Sequence, residues 1–412
     1  MTASFAPRRR TSGVLGVLGV LGLVAPVGAC AAPSASVDGA SPPTDESFQN
    51  ESDVRATSPF TVVPLDHVTS SVPVTFDVPE SALGFTVVVE GETAAFVGLQ
   101  TLINPEGVRV FDNFAAGGGT ATPTAYGPGI ASAVVPQTDG AEATPTPGRW
   151  TALFVAADAT GMEVSTPLRA SVRVQTTRDG AFHGGELDLH VWVPDGLVIQ
   201  DPTPAHAITA EGAPADPCIA ARIDGFYAAL SNMVGIGRGA VTYHPLPARF
   251  LEVRGEDVLA DAFRATGAVA DGPALHFVLT NRIEFAPGAE AWGIAGTIAG
   301  PGTRNGTARS GVMLGVSPTF PAYGDALTML HEAGHYFGLN HTSELAGGHF
   351  DAFADTPQCT TISHERFRHC PDAHDLMFPL YFGASNGGKN VTLSPGQIRV
   401  LRGSPMYRAY LD

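Results

Sequence analysis

His331, Glu332, His335 and His341, with Gly338 among them, stand in the pattern H-E-x-x-H-x-x-G-x-x-H. On a helix, residues four apart share one face, so His331 and His335 can aim two imidazoles at one metal. Glu332 then sits beside that metal without having to bind it. A carboxylate there can take a proton from water on the metal. Gly338 lets the backbone leave the helix in a left-handed conformation, and that bend brings His341 round as a third ligand. Three protein ligands leave a fourth position open, the arrangement of a catalytic rather than a structural zinc. Two blander readings compete: an amphipathic helix with incidental histidines, and a site that keeps zinc without turnover, because a motif alone does not prove activity.

Several elements must position these groups. Asp325 precedes Ala326, Leu327 and Leu330 and offers an N-cap, which predicts a zinc helix from about Ala326 to Phe337. His349, His364, His369 and His374 follow without the fixed spacing of His341 and read as solvated loop residues. The segment Leu393–Leu401 reads as a capped C-terminal helix. Upstream, Leu187–Val193 alternates apolar with polar and opens a second domain, after the turn-rich hinge Arg178–Gly185. Asp216 offers an N-cap and Pro217 a first helical position. Ile219, Ile223, Phe226, Tyr227, Leu230, Met233 and Val234 then recur at helical spacing. Ala240–Tyr243 and Leu275–Leu279 read as strands, so this half suits an α/β domain.

With these residues in place, the eleven-residue stretch resembles the long zinc signature of the metzincins, a class of zinc endopeptidases. Thr342 and Asp355-Thr356-Pro357 resemble the pappalysin-like branch. The resemblance implies a methionine-containing turn beneath the zinc, which Asp375-Leu376-Met377-Phe378-Pro379 matches, with Met377 as its methionine. Pappalysins have Tyr two residues after that Met, whereas this chain has Pro379, as in the matrix-metalloprotease version, and Tyr381 follows. The class also implies an exposed edge strand that pairs with extended substrate. Trp292–Ala299 and Gly311–Val316 flank a Gly-rich loop, and the first, through Ile294, Ala295 and Gly296, is the preferred edge. An internal hairpin is the competing reading. Structural calcium is implied in this region too, with Asp351 and Asp355 as the carboxylates at hand. The resemblance is strongest over 329–379, extends over 186–412, and leaves the first half uncovered.

The chain has 412 residues, 44% apolar and 15% charged, rich in Gly and Pro, which suits a β-rich soluble protein of two or three domains. A net charge of −17 and a single lysine, Lys389, argue against a nucleic-acid partner. Arg8, Arg9 and Arg10 precede a short apolar run, Val14–Val24, so residues 1–29 read as an export signal. Val27-Gly28-Ala29-Cys30 resembles a bacterial lipobox, with Cys30 as the lipidated residue; an ordinary signal peptide is the alternative. The protein is therefore expected outside the cytoplasm, membrane-anchored through lipid or secreted. Residues 30–58 read as a solvated tether.

Over 59–184, short β-type runs at 72–78, 84–89, 108–111, 150–155 and 168–174 read as an antiparallel β-sandwich, with long loops at Gly117–Gly119 and Pro123–Pro147. This module reads as a spacer or, alternatively, as a substrate- or glycan-binding unit. In an exported chain Cys359 and Cys370, which close a short loop, are expected to pair, leaving Cys218 over. The whole is expected to be a mixed α+β protein: a β-sandwich followed by a metzincin-like α/β domain over 186–412. It would be a zinc endopeptidase acting on polypeptides. The alternative is a cell-surface adhesion or glycan-binding lipoprotein with an inert protease-like domain.

Overall fold

A computed structural model describes residues 55–412 apart from 93–94, 113–125, 141–143, 200–204, 287–288, 303, 317–321, 345–349, 361–368 and 380–390. The expected export signal, Cys30, most of the tether, Gly117–Gly119, His349, His364 and Tyr381 lie outside the described residues.

The first half forms two antiparallel sheets. Its strands are β1 (Thr61–Leu65), β2 (Val74–Val78), β3 (Ala82–Glu90), β4 (Phe96–Ile103), β5 (Arg109–Asp112), β6 (Tyr126–Gly127), β7 (Ile130–Val135), β8 (Gly148–Ala157) and β9 (Arg169–Thr176). One sheet runs β1-β9-β3-β7, the other β2-β8-β4-β5 with β6 beside β4. Period-two alternation sends Phe76, Phe85, Leu99, Phe111, Trp150 and Phe154 into one shared core. Phe85 and Trp150 meet edge to face at 5.0 Å, and the Trp150 indole N–H donates to the Thr146 carbonyl, so its polar atom is satisfied.

One expectation is overturned here. β6 and β7 lie inside Pro123–Pro147, where the sequence predicts a long loop. Every residue of β7 is buried. A strand covered on both faces shows no polar alternation, which is why its pattern was silent.

The second half is built on a sheet of order β13-β10-β15-β19-β18. Its strands are β10 (Gly185–Pro194), β13 (Ile236–Leu246), β15 (Ala274–Thr280), β18 (Gly293–Ala295) and β19 (Val312–Gly315). The first four in sheet order run parallel, and β18 closes one end antiparallel to β19. β11 (Leu197–Ile199) pairs with β12 (His206–Ile208), while β14 (Glu252–Arg254), β16 (Arg282–Ala286) and β17 (Ala289–Ala291) form a small side sheet. β20 (Arg408–Ala409) returns to pair with β10.

Leu187, Leu189, Val191 and Val193 of β10 face a core shared with α1 (Pro217–Val234) and α3 (Ala322–Phe337). Trp192, Val278 and Met313 point the other way, towards α2 (Glu256–Arg264). α1 starts as its caps dictate. Asp216 accepts from the amides of Cys218 and Ile219, Pro217 opens the helix, and Gly235 closes it at φ +84°. α4 (Pro395–Gly403) is opened by Ser394 and Gln397 in a reciprocal capping box.

The helix of the histidine motif, α3, differs from the sequence expectation. It begins at Ala322, so Asp325 lies in its first turn and is not its N-cap. The Asp325 carboxylate is buried and accepts from Nε of the buried Arg222 at 2.7 Å, which joins α1 to α3. The short carboxylate that suggested a cap is instead half of an internal ion pair.

Candidate metal centre

α3 carries His331 and His335 on one face, as their spacing requires. Gly338 then takes φ +118°, a conformation that side chains rarely adopt, and ends the helix. Its amide donates to the His335 carbonyl and the Leu339 amide to the Gly334 carbonyl. The turn delivers His341, whose Nε2 lies 3.1 Å from Nε2 of His335. The three imidazoles each offer a nitrogen within 4.8 Å of the others.

What aims them is a set of partners on the far side of each ring. Nδ1 of His331 lies 2.6 Å from the Leu376 carbonyl, Nδ1 of His335 2.7 Å from the Leu339 carbonyl, and Nδ1 of His341 3.1 Å from the Glu344 carboxylate. A carbonyl can only accept, so the Nδ1 of His331 and of His335 carries the proton. Their Nε2 lone pairs are left to face inward, the tautomer a metal requires. Burial and the neighbouring histidines push His331 down to about 3 and His335 well below the usual imidazole range. Both rings are therefore neutral at ordinary pH. The donor set fits a zinc ion: His331, His335 and His341 would hold it.

Glu332 is buried beside this trio. Burial pushes its carboxyl up to about 8, and the Ala295 amide, which donates to it, pulls the other way. That amide belongs to β18, which pairs only with β19 among the described residues and so ends the sheet. Ile294 and Ala295 lie in this edge strand, and Gly296 follows it with its carbonyl held by Arg309. β18 approaches so closely that a Cβ at Gly293 would lie 2.5 Å from Cγ of Glu332.

Met377 is fully buried, and a Cβ at Gly334 would lie 2.6 Å from its sulfur, so the methionine packs directly beneath α3. The turn around it is held by Asp375, whose side chain accepts from the Met377 amide and whose carbonyl accepts from Phe378. The same turn presents the Leu376 carbonyl to His331, so it orients the first histidine as well as filling space. Asp372 accepts from the hydroxyls of Thr342 and Ser343 and pins the chain just after His341. Cys359 and Cys370 form a disulfide near this turn, while Cys218 is buried on α1 and is not in a disulfide. His369 and His374 are exposed.

The two carboxylates considered for calcium have different surroundings. Asp351 is buried; one oxygen accepts from the Thr356 hydroxyl and the other, Oδ2, has no hydrogen-bond partner. Burial pushes its carboxyl up to about 7. Asp355, by contrast, uses both oxygens at the start of α4, accepting from the Ser394 hydroxyl and the Gly396 amide.

Sequence reasoning missed Glu344, Asp372 and the carbonyls of Leu339 and Leu376. Only Glu344 left a signal, a carboxylate three residues after the third histidine.

No family model matches the chain, and no curated protein matches it. Among solved structures it is similar to FlgD from Xanthomonas campestris, at 16% identity and a TM-score of 0.17, over 27% of this chain and 68% of that one. It is also similar to metalloproteinase-II from Bacteroides fragilis, at 12% identity and a TM-score of 0.25, over 53% of this chain and 65% of that one. Likenesses at these scores carry no weight for function, which must be read from the site.

Proposed function

We propose that this chain is a zinc-dependent endopeptidase whose second half is metzincin-like. The observation that carries the reading is the arrangement of the three histidines. Two have Nδ1 anchored on a carbonyl and the third on a carboxylate, with their other nitrogens converging beside a buried Glu332 and the end strand of a sheet. Zinc, when bound, supplies a Lewis acid that polarises a carbonyl and acidifies water. Glu332 takes a proton from the attacking water and returns it to the leaving amine. An extended polypeptide adds to the outer edge of β18, where backbone groups bind any sequence and pockets select side chains. The substrate class is therefore polypeptide.

The deciding experiment is Glu332→Ala. Hydrolysis should fall by about 10²–10⁴-fold, while metal analysis still finds about one zinc per chain. Wild-type cleavage by this variant would refute the mechanism. A zinc-loaded wild type that cleaves no member of a broad peptide library would hand the site to the inert-domain alternative.

Two further readings accompany this one. Export is supported by the Cys359–Cys370 disulfide, a bond of oxidising compartments, together with the Arg8–Arg10 and Val14–Val24 pattern. A calcium ion near the zinc is supported at Asp351 by its buried oxygen without a partner, and not at Asp355. Calcium should raise Tm in the wild type and leave Asp351→Asn unmoved. Equal rises in both proteins would remove Asp351 from the site.

A further inference from the structure

β7 serves two cores. Ala131, Ala133 and Val135 point into the β-sandwich, and Val134 points into the core that contains α3. The Val134 side chain occupies the space where a Cβ at Gly338 would fall, so it abuts the turn that ends the zinc helix. Ala299 and Val400 close the same spot at 3.6 Å from that Cβ position. That turn does two jobs at the metal centre: the Leu339 carbonyl holds Nδ1 of His335, and the chain beyond it carries His341.

Ser132 acts next to it. Its buried hydroxyl lies 2.7 Å from the Ala299 carbonyl and 2.7 Å from the Gly300 carbonyl, a single donor shared between them. The Gly300 amide in turn donates to the Tyr336 carbonyl in the last turn of α3. A chain of contacts thus runs from the sandwich to both ends of the site: to the segment leaving β18, and to the turn between His335 and His341. Around it, Arg304 pairs with Glu90 at 2.9 Å, and Arg399 of α4 donates to the Thr138 carbonyl at 2.6 Å. The Ala354 amide also donates to Asp139 at 2.8 Å.

We infer that the β-sandwich is a working part of the metal centre, and that Val134 and Ser132 are positioning residues for it. This rests on the reading of His331, His335 and His341 as metal ligands. Side chains that fix the ligands of a metal change its affinity by about 10–100-fold when removed, and a mobile Gly338 turn releases two of the three at once. A spacer module, as the sequence suggested for 59–184, would have no such effect.

The test uses the full chain, with Val134→Ala, Ser132→Ala and Val172→Ala as the control. Val172 is fully buried within the sandwich core. The readouts are the zinc dissociation constant by chelator competition, kcat and KM separately, and Tm. Val134→Ala should weaken zinc by about 10-fold or more and lower kcat more than it raises KM. Ser132→Ala should shift both in the same direction by less. Val172→Ala should lower Tm and leave zinc affinity unchanged. If all three variants lose Tm alike and hold zinc as tightly as wild type, the sandwich only stabilises the fold and the inference falls. Should Val134→Ala fail to fold, Ser132→Ala decides alone: wild-type zinc affinity and kcat in it overturn the inference. A wild type that binds no zinc would refute the metal-centre reading itself, which separates the two failures.

Discussion

Three histidines stand on each side of the central sheet. His331, His335 and His341 lie on the α3 side; His190, His244 and His276, from β10, β13 and β15, lie on the other with Trp192. In the first group the Nδ1 atoms are held from behind and the remaining nitrogens converge. In the second, Nδ1 of His190, Nε2 of His244 and Nδ1 of His276 are turned on their neighbours, while the buried Nε2 of His276 has no hydrogen-bond partner. Nδ1 of His190 lies 2.9 Å from Nε2 of His244, and the Thr242 hydroxyl touches both. The Trp192 indole N–H donates to Nδ1 of His276, which leaves that ring's proton on Nε2 and no lone pair for a metal. Residue type is alike in the two groups, but only the first brings all three rings against one another, because β10 stands between the strands that carry His244 and His276. Leu339, Leu376 and Glu344 also aim the first set, which teaches that convergence and the partners behind the ligands make the site together.

The largest effect should come from breaking each group in turn. His335→Ala should lose zinc and hydrolysis together. His276→Gln, which still offers an acceptor to Trp192, should leave zinc at about one per chain by metal analysis. Zinc loss in His276→Gln, or retention in His335→Ala, would erase the distinction between the two groups. A smaller effect tests the partners directly. Glu344→Ala should weaken zinc by about 10–100-fold, and Glu344→Gln, which keeps an acceptor for His341, by less. Equal affinity in wild type and Glu344→Ala would show that His341 needs no support from behind.

The smallest effect is in the pH dependence of stability. Burial, with His190 and His244 nearby, pushes His276 down to about 3, against about 6.5 for an unfolded histidine. Between those values the unfolded chain binds a proton that the folded chain refuses. Stability is therefore full above about 6.5 and falls as pH drops towards 3. Denaturant titrations across that window should show a shallower acid slope in His276→Gln than in wild type. Parallel slopes would mean that this cluster does not govern acid unfolding.

Much of this was legible in the chain, and the rest was hidden for identifiable reasons. The Asp216-Pro217 start and the apolar spacing fixed α1 to its terminal residues, because caps and period agree there. The histidine motif located its three side chains because helix spacing and one glycine turn bring them into one region, although the Leu376 carbonyl that aims His331 comes from 45 residues away. Asp325 misled because a short carboxylate near a helix start can cap or can pair, and only the distant Arg222 decides. β7 was invisible because both of its faces are buried, so Ile-Ala-Ser-Ala-Val-Val carries no alternation and sits between Gly129 and Pro136. Asp355 looked like a calcium ligand, yet α4, folding back from 41 residues later, claims one of its oxygens. What sequence could not give in each case was the identity of a partner far away in the chain.

The position of Ser132 bears on the order in which the protein assembles. Its hydroxyl meets the Ala299 carbonyl across 167 residues of chain. Contacts of such separation form slowly, because closing a long loop costs entropy before any contact rewards it. The strands of the sandwich can complete their own core as soon as they are made, but the outward face of β7 stays uncovered until α3 and the segment after β18 arrive. With the proposed zinc, metal capture would belong to the final docking step, and an unfinished chain would leave Val134 as an apolar surface open to association with other chains.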